Sequence, residues 1–320
     1  MTYFRLLSKK IQIILFILLS FSTLSAYAVT REKFKPFILA EQSSKTMDQM
    51  KAKVEHQIKE SPFNTIAQYS PYENAYIYVV TSEQLKTLAS EAYYGGFIAP
   101  QRIALTKIDD KIQVSYTNPI FLQHAFRLYN INLDAVLGQM KYAFGFEQFF
   151  GGKGLTAREL KRYSYSFGLE DFDSFYEFPH YKTHKEAIAA LKKGFADKTN
   201  GISQVYELKI PNKKQVIYGI SMSEPDSGNK DLNTQNTMAI IDYLPLKRTP
   251  YLPYEIMVDD NKIIALHARF RIAVFFSDLM MFGKNGFGKL LSTPTAYQNA
   301  FYKVSGGKPK KAIKMDGFIE

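Results

Sequence analysis

Cysteine is absent from the 320 residues of this chain. Its absence excludes disulfide bonds, thiolate zinc sites, iron–sulfur clusters and cysteine nucleophiles. Charged residues make up only 22% of the chain, whereas 46% of the residues are hydrophobic and 15% are aromatic. So much apolar area has to be buried in a core, which excludes disorder for most of the chain. The length is enough for one large domain or for two domains of about 150 residues.

A long hydrophobic run is missing near the start of the chain, where the uncharged apolar stretch at residues 11–24 has only 14 residues. A helix that spans a bilayer usually needs about 20 apolar residues. Three basic residues precede the stretch, and the small–x–small sequence Ala26-Tyr27-Ala28 follows it. This order predicts a secretory signal peptide that is cleaved after Ala28, and an uncleaved membrane anchor is the alternative. The expected product is periplasmic or secreted.

The exported chain would carry 38 basic and 30 acidic side chains, because residues 1–28 contain three basic residues and no acidic one. Part of the excess is a group of four lysines in the C-terminal tail, residues 305–320. Such a tail either attracts anionic lipid or another polyanion, or keeps the protein soluble, and the second interpretation is favoured. At most peripheral membrane contact through the tail is therefore expected. Nucleic acid is not an expected partner, since the chain has no recognised nucleic-acid-binding motif.

The chain after the predicted signal peptide can be aligned with itself. Thr46 begins Thr-Met-Asp-Gln and Thr183 begins Thr-His-Lys-Glu. Each tetrapeptide predicts a capping box at the start of an amphipathic helix. Two β-like runs follow each helix, with Pro71 and Pro211 in the turns between them. A second helix and a pair of strands joined by an acidic turn complete each copy.

These matches predict an α+β protein of two tandem α-β-β-α-β-β repeats, with antiparallel sheets, helices packed on one face of each sheet, and a pseudo-two-fold arrangement. The predicted units are a signal peptide (residues 1–28), a first repeat (29–140), an aromatic and glycine-rich connector (141–180), a second repeat (181–304) and a basic tail (305–320). The connector either lines a pocket for an apolar ligand or packs as a core shared by the repeats, and the shared core is favoured.

One part of the first copy carries a family resemblance. Ile103-Ala104-Leu105 precedes the acidic turn, and Val114-Ser115-Tyr116-Thr117-Asn118-Pro119 follows it. Together they resemble the domain-of-unknown-function 302 family. Thr117-Asn118 departs slightly from the usual family ending, and the second copy departs fully, because His267-Ala268-Arg269-Phe270 stands in that place. The resemblance implies a compact α+β domain with helices against an antiparallel sheet, and it implies no activity.

No residue pattern in the chain identifies a metal, a cofactor or a catalytic nucleophile. His180 and His184 have the spacing of helical metal ligands, but the cap predicted at Thr183 leaves His180 outside the helix. Residues 151–154 lack the spacing of a phosphate-binding loop, and residues 219–223 lack the last glycine of a nucleophile elbow. No metal or cofactor is therefore expected, and no catalytic residue is assigned.

The candidate binding residues come from the alignment of the two copies. Tyr116 and His267 occupy matching strand ends in that alignment, and Asn118, His124 and Arg269 lie close to them in sequence. They predict a polar site at the seam of the repeats that could orient an anionic or hydrogen-bonding ligand. Ordinary strand-end residues that face solvent are the alternative.

Two functions stay open at this point. The first is an exported, non-catalytic binding or accessory protein, whose partner is a small molecule or a periplasmic protein. The second is a periplasmic hydrolase with its site between the repeats. The lack of a recognisable nucleophile or metal motif favours the first function.

Overall fold

A computed structural model describes residues 32–164 and 170–307 of the chain. The predicted signal peptide with its cleavage site and the four tail lysines lie outside these residues. Within them the protein is a mixed α+β structure with nine α-helices and three antiparallel sheets, so the predicted fold class is confirmed. None of the helices in this part of the chain has the length and apolar character of a membrane span.

The first half builds a six-stranded sheet. Its elements in chain order are β1 (Lys33–Phe34), β2 (Phe37–Ser43), α1 (Met47–Lys59), β3 (Asn64–Tyr69), β4 (Ala75–Thr81), α2 (Glu83–Glu91), β5 (Gln101–Ile108), β6 (Lys111–Thr117), α3 (Pro119–Ala125), α4 (Asp134–Phe144) and β7 (Gln148–Phe150). The strand order in the sheet is β3-β4-β5-β6-β2-β7. The strand pairs predicted after each helix are present, and β2 precedes them as an additional strand.

The second half builds a five-stranded sheet. Its elements are β8 (Leu155–Thr156), α5 (Ala157–Lys161), β9 (Phe175–Glu177), α6 (His184–Ala196), β10 (Ile202–Ile210), β11 (Gln215–Met222), α7 (Thr234–Ile241), β12 (Tyr254–Asp259), β13 (Lys262–Leu266), α8 (Ala268–Phe275) and α9 (Thr293–Val304). The strand order is β10-β11-β12-β13-β9, and β8 pairs with β1 in a separate two-stranded sheet. Apart from β7, both large sheets thus follow one order, as a tandem repeat requires. Superposition of the halves stays a prediction.

Both predicted threonine caps begin their helices. The Thr46 hydroxyl accepts a hydrogen bond from the Gln49 backbone N–H at 3.3 Å, and the Gln49 side chain accepts from the Thr46 N–H at 3.0 Å. Thr183 accepts from the Glu186 N–H at 3.2 Å, whereas the Glu186 carboxylate accepts from the N–H of Lys182. The first cap is therefore the predicted capping box, whereas the second is a side-chain N-cap alone, and the capping box predicted at Thr183 is wrong because Glu186 bonds to Lys182 instead.

Each large sheet has a helical face and a face at the seam between the halves. Helices α1 and α6 pack on the helical faces, as predicted, through apolar residues at helical spacing such as Met50, Val54 and Leu191. At the seam, the short 3₁₀ turn Gly95–Phe97 contacts β11 and β12, and the turn Thr249–Tyr251 contacts β4, β5 and β6. Each half therefore places a turn against the sheet of the other half.

The predicted connector, residues 141–180, supplies structure to both halves. It contributes β7 to the first sheet and β9 to the second. The buried ring of Phe172 lies 5.2 Å from that of Phe126 in the first half and 6.2 Å from that of Phe270 in the second half. These aromatic contacts join the two halves through one continuous apolar core.

Candidate functional site

A cavity of about 310 Å³ opens at the surface of the first half, and two of the predicted site residues line it. Helix α3 contributes Gln123 and His124, with Asn118 at its N-cap, and α4 contributes Asp134. The strands add an apolar wall, which with α4 consists of Phe34, Leu137 and Phe149. The volume lies at the lower end of the range for small-molecule pockets, and the mixture of an apolar wall with a few polar groups is typical of them.

His124 is a polar group of the cavity lining whose ring has no hydrogen-bond partner among the described residues. Its ring lies against the Phe34 ring at 4.6 Å between centroids, which fixes its orientation. Neither ring nitrogen hydrogen-bonds to any residue in the described part of the chain. Burial lowers the pKa of His124 below its ordinary value, although Glu32 and Asp134 act in the opposite direction. The neutral ring therefore offers one N–H donor and one acceptor nitrogen to the cavity at pH 7.

Asn118 positions the cavity walls instead of facing a ligand. Its side-chain amide donates to the Lys35 carbonyl at 2.8 Å, and its side-chain oxygen accepts from the Ile120 N–H at 3.1 Å. The first bond ties the segment between β1 and β2 to the start of α3. Gln123 has a similar role, because its side-chain oxygen accepts from the Leu133 N–H at 2.9 Å and so holds the start of α4 beside α3.

The charge around His124 is mainly negative. Glu32 and Asp134 are exposed, line the cavity and act electrostatically on His124. Lys33 is the one basic residue among those that line this cavity. A cavity with two carboxylates, one ammonium and a neutral imidazole favours a cationic or donor-rich ligand over an anionic one. The cavity is therefore poorly suited to an anionic ligand, which is one of the two kinds of ligand predicted for the polar site.

Tyr116 does not belong to this cavity. Its side chain is buried and packs against Phe144 of α4, with 6.0 Å between ring centroids. Its hydroxyl donates to the Gly145 carbonyl at 2.7 Å. Burial raises the pKa of Tyr116, so the hydroxyl stays protonated and serves as a donor inside the core. The prediction that Tyr116 lies at a ligand site is therefore wrong: its side chain packs in the core.

His267 and Arg269 lie together in a separate place, at the start of α8. The His267 ring accepts from the Arg269 backbone N–H at 3.3 Å and therefore acts as the N-cap. Its other nitrogen, Nε2, lies 3.4 Å from Glu170 Oε1, and Arg269 reaches the same oxygen at 2.8 Å. Burial lowers the pKa of His267 to about 4, outweighing the opposing effect of Glu170.

The matching of Tyr116 with His267 is wrong by two residues. Asn118 caps α3 directly after β6, and His267 caps α8 directly after β13. His267 and Asn118 thus have the same place directly after their strands, because β13 has five residues and β6 has seven. The five candidate residues consequently do not form one site: His124 and Asn118 share the cavity, His267 and Arg269 share Glu170, and Tyr116 is in the core.

Two other cavities differ from the His124 cavity in their lining. One, of about 290 Å³, lies at the seam, where Tyr72 and Thr106 of the first half face Asp242 and Lys247 of the second. Burial raises the pKa of Asp242 to about 6, but its carboxylate is held by the backbone and side chain of Arg248. A wider and more open depression of about 520 Å³ is edged by lysines and hydroxyl groups. Neither combines an apolar wall with an unpaired imidazole.

No group of three or more histidine, aspartate or glutamate residues in the described ranges could hold a metal ion. Comparison of the chain with protein-family models, with curated proteins and with solved structures finds no match. The resemblance stated for residues 102–119 therefore stays a prediction, and the function is argued from the site alone.

Proposed function

We propose that this chain is an exported, non-catalytic binding protein that holds a small molecule in the His124 cavity. The observation that carries the proposal is a neutral imidazole without a protein partner, packed against an aromatic ring in a cavity of about 310 Å³ that opens at the surface. A buried polar group usually finds a partner inside the protein. The His124 ring is only half buried and lines the cavity, so its nitrogens can bond either to water or to a ligand there.

The lining suggests the chemistry of that ligand. An amine would place its N–H donors beside Glu32 and Asp134 and toward the acceptor nitrogen of His124. Its apolar body would cover Phe34 and Leu137. We therefore propose a small primary amine with an aromatic or aliphatic body as the ligand class.

Two of the other histidine rings, those of His184 and His267, already have a nitrogen in contact with the protein, which favours binding over proton transfer. One nitrogen of His267 is used by the N-cap bond, and the other faces Glu170. The Nδ1 of His184 lies 2.6 Å from the carbonyl of Asp260. A general base has to reach a nucleophile with a free nitrogen. The alternative, a periplasmic hydrolase with its site at the seam, would have to use Asp242, whose carboxylate already accepts three hydrogen bonds from Arg248.

The proposed location is the periplasm or the medium, after cleavage following Ala28. This part of the proposal rests on the sequence order of the basic start, the apolar stretch of residues 11–24 and the Ala-Tyr-Ala exit. N-terminal sequencing of the exported protein should begin at Val29, whereas an intact Met1 on a membrane-bound product would contradict it.

We also propose that the halves are tandem repeats related by a pseudo-two-fold axis, as the alignment of the chain with itself predicts. The shared strand order supports this proposal. So does the reciprocal contact of each half's 3₁₀ turn with the other half's sheet. In an experimental structure, Asn118 and His267 should superpose as equivalent helix caps.

Calorimetry with two probe molecules of similar shape tests the ligand class. 2-Phenylethylamine should bind, and 3-phenylpropionate, which carries a carboxylate instead of an ammonium, should not. Asp134→Asn should weaken binding of the amine by about tenfold, because it removes one carboxylate from the cavity. Asp48→Asn, an exposed carboxylate in the first turn of α1, is the matched control and should leave binding unchanged. Tighter binding of the acid would contradict the proposed class.

A further inference from the structure

The segment between α8 and α9 exposes a group of large apolar side chains. Met280, Met281, Phe282 and Leu291 are 70%, 45%, 83% and 63% exposed. Single exposed apolar residues are common on protein surfaces, but here four of them lie within the 13 residues 279–291. This segment, called here the 279–291 loop, is not used by the cavity or by either sheet.

The loop is held in a defined shape by its own backbone. The Phe287 N–H donates to the Met280 carbonyl and the Gly288 N–H donates to the Met281 carbonyl, both at 2.8 Å. Gly283, with a φ of 108°, makes the turn at the tip. Phe287 and Leu290 point inward and are buried in the core. The outward apolar side chains are thus presented by a closed turn that is anchored at its base.

The charge on the loop has one sign. Lys284 and Lys289 are exposed, and residues 279–291 contain no aspartate or glutamate. Asp278, at the base of the loop, is already paired with Arg248 at 2.7 Å. An apolar tip bordered by lysines, with four internal backbone hydrogen bonds, is suited to the boundary between headgroups and acyl chains of an anionic membrane.

We propose that the 279–291 loop docks the protein peripherally on an anionic phospholipid surface. Phe282 and Met280 enter the boundary between headgroups and acyl chains, and Lys284 and Lys289 contact lipid phosphates. A protein pocket could also accept the apolar side chains, but the complete absence of carboxylates favours a surface of uniform negative charge. The contact is independent of the His124 cavity and would bring a periplasmic binding protein to the membrane.

The lack of tryptophan in the chain permits a direct test. Phe282→Trp places a single fluorescent reporter at the tip of the loop, and Tyr142→Trp places one on α4, at a side chain that is 94% exposed. Both variants are made in the exported form that begins at Val29. With vesicles of phosphatidylglycerol and phosphatidylcholine, the emission of the Phe282→Trp variant should shift to the blue and be quenched by brominated acyl chains, and that of Tyr142→Trp should not. No shift for the loop reporter, or an equal shift for both, would overturn the proposal.

Vesicle co-sedimentation separates the apolar and electrostatic contributions. Phe282→Ser should lower the partition coefficient about tenfold on anionic vesicles. Lys284→Gln with Lys289→Gln should lower it about fivefold for each lysine on anionic vesicles. On pure phosphatidylcholine the lysine variants should match the wild type. All variants keep the basic tail, so its contribution cancels. Binding that is the same in every variant, or a wild type that binds only a soluble protein partner and no vesicle, would overturn the proposal.

Discussion

The guanidinium of Arg102 on β5 and the carboxylate of Glu255 on β12 form a buried ion pair that joins the two sheets. The Tyr206 hydroxyl donates to the same Glu255 oxygen at 2.6 Å. Pro100 precedes Arg102 by two residues, as Pro253 precedes Glu255. In the proposed tandem repeat these two residues occupy corresponding positions, so opposite charges meet where a symmetric repeat would have identical residues.

Removing one partner of this pair should destabilise the protein strongly. Arg102→Met leaves the buried Glu255 carboxylate without the cation that hydrogen-bonds to it, with only the longer-range effect of Arg271, and should lower the free energy of unfolding by about 3–5 kcal/mol. The double variant Arg102→Met, Glu255→Met should recover most of that loss. Lys193→Ala, which removes an exposed helical ion pair with Asp197, should change stability by at most about 0.5 kcal/mol. Urea unfolding would contradict the account if the buried and the exposed variants behaved alike.

His267 should make the protein less stable in acid. Its pKa is about 4 in the folded chain against an ordinary 6.5, so between these values the unfolded chain binds a proton that the folded chain does not. The corresponding stability is present above pH 6.5 and is lost as pH falls toward 4. His267→Asn keeps an N-cap of the kind that Asn118 provides but removes the titrating ring. When the pH falls from 7.5 to 4.5, the free energy of unfolding of this variant should therefore rise by about 2 kcal/mol relative to that of the wild type.

The same unfolding measurements at two pH values check this prediction. The groups that face the ring are Glu170, Arg269 and Tyr176, and the substitution retains all three. Asp242, whose pKa is raised, changes stability in the opposite direction with pH but is common to both proteins. A stability difference between variant and wild type that does not depend on pH would show that His267 is not held neutral by burial.

The two threonine caps should contribute similar amounts to stability. Thr46→Ala and Thr183→Ala each remove an acceptor for a backbone N–H in the first turn and should cost about 1 kcal/mol. Thr87→Ala, at an exposed position inside α2, is the matched control and should not destabilise the protein. Chemical denaturation of the three variants would contradict the assignment if Thr87→Ala cost as much as the caps.

Local patterns made much of the fold predictable. The start of a helix is set by a few neighbouring residues, here a capping threonine and the apolar residues at helical spacing after it. The helix starts at Thr46 and Thr183 are therefore predictable from the sequence. The strand pairs were predictable for the same reason, since hairpin turns contain proline or paired aspartates. The strands β2 and β9 were not singled out, because each pairs with a strand that is distant in sequence.

The site was less predictable than the fold. The alignment of the copies pairs Tyr116 with His267. The strand lengths, which depend on pairing with distant residues, instead put Asn118 and His267 in the same place, directly after their strands. His124 was singled out, but Phe34 and Asp134 were not, because they come from β1 and α4 and meet His124 only in the folded chain. The spacing of Asn118 and His124 on one short helix was the available signal.

Binding of a small molecule beside His124 is the central claim, and native mass spectrometry of the protein released from the periplasm tests it most directly. The wild type and His56→Ala, which alters an exposed histidine on α1, should carry the same additional small mass. His124→Ala should lose that mass while its thermal unfolding stays close to that of the wild type. An additional mass retained equally by His124→Ala, or a wild type that carries none, would contradict the claim.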